Sequence, residues 1–272
     1  MTTTAERLAL GAGRAILMAV YGIPLVYLFA SSLKSDEAMV ANPGSLIFAP
    51  DLSAYGHVWN GDLLAAGMSS FQIALGTVLL VLVLAAPAAY ALAHHRHLVA
   101  GVFVGLMILL QMVPQATTII PLFKVIGAWG LLGTRLSVVL ADATLLLPFA
   151  IVLLRPFFLA VPAEVEEAAR VDGATGIRAF LSISLPLARN GIITVGAFVF
   201  IIAWGEFIYA ITLLTDPGTY PLPALISLQV TQYGIVWDRL FALAVLSSLP
   251  LIVLFLAMHR RLTEGLSLGV GK

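Results

Sequence analysis

A charged stretch that is rich in small residues lies between two long apolar segments of this chain. Glu167 is followed by Ala168 and Ala169 and, after three further residues, by Gly173. Acidic side chains near the start of a helix, here Glu164, Glu166 and Glu167, favour its positive end, and a glycine often ends a helix. Alanine side chains let another backbone approach closely. The spacing predicts a short helix that forms a docking surface for another protein. A solvated loop that only connects two apolar segments is the alternative.

Two acidic residues, Asp142 and Glu206, fall inside apolar segments. A charge near the bilayer centre costs at least ~2.5 kcal/mol, so such residues usually face a cavity or a partner. Glu206 is a candidate, together with Trp204, Tyr209 and Gln111, to line a path for a polar solute, because aromatic faces and polar groups suit such a solute. For Glu206 and Gln111 a hydrogen bond to a neighbouring helix is the alternative. Asp142 is predicted to lie near water at the outer membrane face.

Residues 94–97, His-His-Arg-His, form the other polar cluster. A metal site is one interpretation, but neighbouring residues of a helix point in different directions, and positive charge at the membrane surface explains the cluster better. An intramembrane enzyme would need a convergent motif such as His-Glu-x-x-His, which is absent. The single Gly-Lys pair ends the chain, so no nucleotide-binding loop is present. We therefore expect no catalytic site, no metal site and no ATP hydrolysis by this chain.

Composition indicates an integral membrane protein. Hydrophobic residues make up 61% of the 272 residues and charged residues only 10%, and the mean hydropathy is +1.04. A soluble domain carries about 25% charged residues, because water must wet its surface. The formal net charge of zero gives no indication of nucleic-acid binding, and the absence of cysteine excludes thiolate metal sites.

Six apolar stretches are long enough to cross a bilayer core of ~30 Å as helices, and they predict one all-α transmembrane domain over residues 1–272. The stretches lie near residues 14–32, 71–93, 99–121, 136–155, 191–213 and 240–258. With both termini inside, ten of the 14 Lys and Arg residues fall on the inner side and four on the outer side, which is the bias of the positive-inside rule. This orientation places the segment 156–190 and the tail 259–272 in the cytoplasm.

The charged stretch resembles the cytoplasmic signature of permease subunits in binding-protein-dependent ABC importers. Residues 167–174 read Glu-Ala-Ala-Arg-Val-Asp-Gly-Ala and residues 185–187 read Leu-Pro-Leu, the form that looks most like carbohydrate permeases. Residues 204–207, Trp-Gly-Glu-Phe, and 265–269, Gly-Leu-Ser-Leu-Gly, are similar to further parts of the second permease subunit of maltose-type transporters. Gly205 departs from that family, which commonly has Asn there, and so removes a polar side chain.

The resemblance implies a six-span type I ABC importer permease with a cytoplasmic coupling helix, embedded in the lipid of the bacterial inner membrane. The implied partners are a second, homologous permease subunit, two ATPase subunits that carry ATP and Mg, and an extracytoplasmic binding protein that delivers a sugar. The implied contacts to an ATPase are Glu164, Glu167, Ala168, Ala169, Asp172 and Gly173, with the tail residues Gly265, Leu266, Ser267 and Gly269 reaching between the ATPases. Import of an amino acid, a peptide or an anion is the alternative. A secondary transporter is a further one, although the chain shows no clear internal repeat.

Overall fold

The computed structural model describes residues 4–95 and 97–270, with side chains described for residues 10–95 and 98–258. The helices are α1 (Thr4–Ser31), α2 (Asp36–Ala41), α3 (Ser53–Val58), α4 (Gly61–His94), α5 (His97–Gln111), α6 (Gln115–Ala128), α7 (Arg135–Leu159), α8 (Ala163–Val171), α9 (Gly176–Ala179), α10 (Leu185–Leu187), α11 (Arg189–Trp204), α12 (Ile208–Leu213), α13 (Leu222–Ser227) and α14 (Trp237–Val270). A π-helical turn, Phe180–Ser184, joins α9 to α10. A short antiparallel hairpin pairs β1 (Val230–Thr231) with β2 (Gly234–Ile235).

Four of the described helices are long and apolar enough to cross a membrane, namely Leu10–Ser31, Gly61–His94, Arg135–Leu159 and Trp237–Met258. Two further pairs of helices pass the same test together, and each pair is bent at a short break. The number of candidate spans is therefore six if each bent pair crosses the membrane once. The prediction of an all-α, multi-pass membrane protein is confirmed.

The single helix predicted over residues 99–121 is replaced by a bent pair. α5 ends at Gln111, α6 begins at Gln115, and the two parts meet at an angle of 94°. Pro114 lies at the break with an extended backbone, φ −62° and ψ 135°. Proline has no N–H to continue the helical ladder, and it disfavours helical geometry in the preceding residue. The break places Gln115 in the first turn of a new helix inside the apolar region.

The helix predicted over residues 191–213 is also interrupted. α11 ends at Trp204, and α12 begins only at Ile208. The amide of Gly205 closes the first helix by donating to the carbonyls of Ile201 and Ile202. Glu206 therefore lies in a short non-helical gap, where backbone N–H groups are free to bind a carboxylate. A bend of 76° comes earlier, between α10 and α11.

Contacts divide the chain into two compact units, one of residues 1–64 with 225–249 and the other of residues 65–224 with 250–272. In the larger unit α7 is the central helix and packs against α5, α6, α11 and α12. Its core includes Ile73, Val138, Tyr209 and Leu213, each with 1% or less of its surface exposed. This core fixes the two helix breaks that carry Gln115 and Glu206.

In the smaller unit a buried lysine holds the loop that follows α1. Lys34 is 2% exposed, and its Nζ donates to the carbonyls of Pro43 at 2.9 Å and Asn42 at 3.3 Å. The Ser32 hydroxyl bonds the Tyr55 hydroxyl at 2.7 Å. Because burying a charge is costly unless it is hydrogen-bonded, these carbonyls determine where the loop runs.

Candidate functional site

Helix α8 carries the predicted docking residues. It follows Pro162, whose missing N–H is not needed at a helix start, and has Glu164 and Glu166 in its first turn. Gly173 follows its end with a φ of +85°. This left-handed conformation is readily adopted by glycine and disfavoured for other residues, so glycine allows the chain to turn sharply there.

One face of α8 and the turn after it are open. The predicted ATPase contacts Glu164, Glu167, Ala168, Asp172 and Gly173 are exposed, and Ala169 is half-buried. Large apolar side chains accompany them, since Val171 is 88% exposed and Ile177 is 74% exposed. Exposed apolar side chains next to acidic ones are typical of a surface that binds a protein partner.

Glu166 lies on the opposite face of α8 and is only 3% exposed. Its Oε1 accepts a hydrogen bond from the Ser184 hydroxyl at 2.5 Å. Its Oε2 accepts one from the Tyr90 hydroxyl at 3.1 Å and lies 3.0 Å from Nε2 of His94. Sequence reasoning missed this role, because helical spacing alone does not tell an inward-facing glutamate from the exposed Glu167 beside it.

His94, in the last turn of α4, also joins this network. One ring nitrogen faces the Glu166 carboxylate, and the other, Nδ1, lies 2.9 Å from the carbonyl oxygen of Tyr90. A protonated imidazole ring can donate to both oxygens. The rings of Phe158 and Phe180 pack against Tyr90, with centroids 5.8 Å and 4.9 Å away, and cover the network from one side.

Glu206 forms the second polar site, at the gap between α11 and α12. Its Oε1 accepts the backbone N–H of Tyr209 at 2.5 Å, and its Oε2 accepts Nε2 of Gln115 at 2.8 Å. The Tyr209 hydroxyl in turn bonds the Thr118 hydroxyl at 2.6 Å. Glu206 therefore links α6 to α12, which is the interhelical alternative considered for it.

Three of the four predicted path residues are covered within this chain. Trp204 is 4% exposed and Tyr209 1%, so both lie in the core, and Glu206 at 9% is nearly covered. Gln111 is exposed, and its amide donates to the carbonyl of Met107 on its own helix at 3.4 Å. The structure thus brings Glu206 and Tyr209 together, whereas the Gln111 side chain bonds within its own helix.

Asp142 is buried, so the prediction that it lies near water was wrong. It is 2% exposed. Its Oδ2 has no hydrogen-bond partner within the described part of the chain. The sequence shows how far along its helix Asp142 lies. It does not show that α7 is surrounded by other helices, which is why Asp142 is buried.

The predicted tail contacts Gly265, Leu266, Ser267 and Gly269 lie outside the residues whose side chains are described. The backbone of α14 is helical to Val270. Residues 265–269 also match the letters Gly-x-Ser-x-Gly, but the nucleophile of a serine hydrolase with this motif needs a strand-to-helix turn, and a helix does not provide one. Among the described residues, no group of three or more His, Cys, Asp or Glu is placed to hold a metal ion.

Comparison with known proteins finds close relatives over most of the chain. Residues 81–267 match the family described as the binding-protein-dependent transport system inner membrane component. The chain is 32% identical over 254 residues to the trehalose transport system permease protein SugB of Mycobacterium tuberculosis (strain CDC 1551 / Oshkosh), covering 92% of each chain. It is 31% identical over 252 residues to the diacetylchitobiose uptake system permease protein NgcG of Streptomyces coelicolor, covering 91% of this chain and 83% of that one.

The fold is also found in a solved structure, that of a bacterial ABC transporter involved in the import of the acidic polysaccharide alginate. The TM-score is 0.75 at 23% identity, and the match covers 96% of this chain and 98% of that chain. The fold is thus that of a type I importer permease, as the resemblance implied. Since the family match extends over more than half of the chain, the chain belongs to the family of inner membrane components of binding-protein-dependent transport systems.

Proposed function

We propose that this chain is one permease subunit of an ATP-driven importer and forms half of a sugar path through the bacterial inner membrane. The observation that carries the proposal is a family match over residues 81–267 that includes α8, the helix with the exposed acidic and apolar face. A second permease subunit, two ATPase subunits with ATP and Mg, and an extracytoplasmic binding protein complete the assembly.

The choice of sugar as solute rests on the relatives. The proteins named for trehalose transport and for diacetylchitobiose uptake are each more than 30% identical to this chain over at least nine tenths of it. Both named solutes are carbohydrates that offer hydroxyl groups and no ionic charge.

Energy would enter through α8. Its exposed acids attract a basic groove, and its apolar side chains gain by leaving water on contact. A rigid helix held in such a groove transmits movement of the ATPases as a rigid body, so the spans switch between two arrangements. Glu167, exposed at the centre of α8, is the residue that we assign to the electrostatic contact.

The proposed orientation in the membrane is argued from the distribution of Lys and Arg residues. With α8 and both termini in the cytoplasm, the inner side holds ten of the 14 Lys and Arg residues, and this bias orients multi-pass proteins. The loops that contain Ile47 and Tyr233 would then face the extracytoplasmic binding protein. Ile47 is 94% exposed and Tyr233 91%.

A tagged copy of the chain, purified in mild detergent from cells that express it natively, tests the assembly. We expect mass spectrometry to find a second six-span permease and an ATPase in stoichiometric amounts. The binding protein recovered after cross-linking should bind trehalose, diacetylchitobiose or another sugar in calorimetry.

The outcomes separate the parts of the proposal. A permease purified without any ATPase would overturn ATP-driven import. A binding protein that binds an amino acid, a peptide or an anion, but none of the sugars tested, would leave the importer proposal standing and overturn the choice of sugar as the solute. Ion-driven uptake by the chain alone in liposomes would indicate a secondary transporter instead.

A further inference from the structure

The buried face of α8 is built around a carboxylate rather than an apolar side chain. Glu166 is the buried residue of this helix among those described, whereas Val165 and Val171, the large apolar residues of α8, are exposed. An amphipathic helix at a surface normally does the reverse. α8 therefore offers its apolar side chains outward and is held to its own subunit by a polar anchor.

The anchor connects α8 to two separate parts of the membrane region. One carboxylate oxygen meets the Tyr90 hydroxyl and His94 Nε2 in the last turns of α4, at 3.1 Å and 3.0 Å. The other meets the Ser184 hydroxyl at 2.5 Å, in the π-helical turn that leads into α10 and α11. A single side chain thus fastens the cytoplasmic ends of two long elements to α8.

Such contacts resist separation more than apolar ones do. Hydrogen bonds to a charged group are stronger and more directional than neutral ones, and a buried carboxylate that loses its partners is strongly destabilised. A network of this kind fixes both the distances and the directions between its groups, so it holds one geometry. When α8 moves, the end of α4 and the turn before α10 are therefore expected to move with it.

We propose that Glu166 is a positioning residue that passes movement of α8 to α4 and α11, whereas the adjacent Glu167 makes the outward contact. The inference rests on the proposed function, because it supposes that an ATPase moves α8. It assigns opposite duties to two neighbouring glutamates: Glu167 binds the partner, and Glu166 transmits the movement of that partner into the membrane.

The test compares Glu166→Ala, Glu166→Gln and the wild type in the complex purified through a tagged copy of this chain. Glu37→Ala is the matched control, since Glu37 is an exposed acid in the first turn of α2. The chain has no cysteine of its own, so Ala91→Cys, at an exposed position near the end of α4, can carry a nitroxide label. Its spectrum is recorded before and after ATP with vanadate, which requires no knowledge of the solute. The same complex with Ala91 unchanged, treated with the nitroxide reagent, gives the background signal from cysteines of the partner subunits.

ATPase activity of the same complexes is measured in liposomes with and without the binding protein loaded with trehalose or diacetylchitobiose. We expect Glu166→Ala to keep the ATPase bound but to lose the spectral change at position 91. Stimulation by loaded binding protein should fall about tenfold, within the usual range of coupling between sites. Glu166→Gln should restore part of both signals, because its amide oxygen still accepts from Ser184. Glu37→Ala should give the wild-type spectral change at position 91 with ATP and vanadate, a readout that does not involve the binding protein.

Melting temperature separates transmission from simple stability. If Glu166→Ala lowers the melting temperature while the remaining complex keeps its spectral change and its stimulation, Glu166 is only structural and the inference is overturned. Wild-type behaviour in every measurement overturns it as well. If the alanine variant does not assemble, Tyr90→Phe and Ser184→Ala each remove one contact. Loss of coupling in these milder variants supports the inference, and full coupling in both contradicts it.

Failure of the proposed function looks different. A wild-type complex with no ATPase removes the proposed function and the inference together, whereas a wild-type complex that contains the ATPase but whose α4 label does not respond to ATP removes the inference alone. A wild-type response that Glu166→Ala retains removes the inference alone.

Discussion

Glu166 is buried and its neighbour Glu167 is exposed, and the first prediction concerns the contact that we assign to Glu167. Glu167→Lys reverses charge on the open face of α8, where Glu167 is exposed. If that face binds a basic groove, a like charge across the contact costs more than the lost attraction. We expect the ATPase bound per permease to fall about tenfold, equivalent to ~1.4 kcal/mol, with the permease still inserted in the membrane. Quantitative blotting of the purified complex measures this ratio.

The control for Glu167→Lys is the same charge reversal at a site far from the proposed contact in the topology. Glu37→Lys changes an exposed acid that we place outside the cell and should leave the ATPase ratio unaltered. Normal ATPase binding and normal stimulation by loaded binding protein in Glu167→Lys would refute the assignment of Glu167 to the contact.

The buried carboxylate of Glu206 leads to a second prediction at this scale. Glu206→Ala leaves two donors without a partner, the backbone N–H of Tyr209 and the amide of Gln115. An unsatisfied buried donor costs about 1–3 kcal/mol, so the melting temperature of the permease in detergent should fall. Glu206→Gln keeps an acceptor oxygen and should fall less. If Glu206 also lines the path, uptake should change between sugars as well. Unchanged uptake across sugars, with only the melting temperature lowered, would leave Glu206 a purely interhelical role.

Residue types and spacing predicted the docking helix but not how its side chains divide between faces. The short signature around Glu167 and Gly173 is local, and the helix and its glycine turn follow from a few neighbouring residues. The burial of Glu166 and Asp142 depends on Tyr90, Ser184 and the helices around α7, which are distant in sequence. A charged residue is expected at the surface unless a partner covers it, and the partner here is formed only by the fold.

At the scale of elements, close packing between α7 and α11 depends on one glycine. A Cβ built on Gly191 would lie 2.2 Å from Cγ of Phe157, so Gly191→Ala forces the two helices or the ring to shift. Overpacking of this kind costs about 1–3 kcal/mol. We expect a lower melting temperature in detergent, and partial recovery when Phe157→Leu is added. The transition is followed by circular dichroism of the purified permease.

Gly101→Ala is the matched control, because Gly101 is also helical and a Cβ there has no neighbour within 4 Å. Alanine is the better helix former, so this variant should melt at or above the temperature of the wild type. An unchanged melting temperature for Gly191→Ala would show that α7 and α11 are packed more loosely than the structure has them.

The helix breaks are the part of the secondary structure that hydropathy did not predict. Pro24, Pro87, Pro148 and Pro250 all lie inside continuous helices, whereas Pro114 separates α5 from α6 at 94°. In apolar surroundings a proline is tolerated where neighbouring helices, side chains or water satisfy the freed carbonyls. Hydropathy predicted where the apolar segments lie. Which proline breaks its helix depends on packing that the sequence does not display.

For the whole molecule, the orientation in the membrane rests on the distribution of Lys and Arg and can be tested independently of any partner. Because the chain contains no cysteine, each introduced cysteine reports one position. Ile47 and Tyr233 are 94% and 91% exposed and are assigned to the outer side, and Ile177 is 74% exposed and assigned to the cytoplasm. The three side chains have similar exposed fractions, so labelling depends mainly on which side of the membrane each residue faces.

We expect a membrane-impermeant maleimide to label Ile47→Cys and Tyr233→Cys in intact cells and to leave Ile177→Cys unlabelled until the cells are permeabilised. The physical reason is the positive-inside bias, which orients the first span and thereby all later ones. Labelling at Ile177→Cys alone would invert the topology and place α8 where no cytoplasmic ATPase can reach it. Labelling of Ile47→Cys but not Tyr233→Cys would mean an odd number of crossings between them, so that one of the two bent pairs enters and leaves the membrane on the same side.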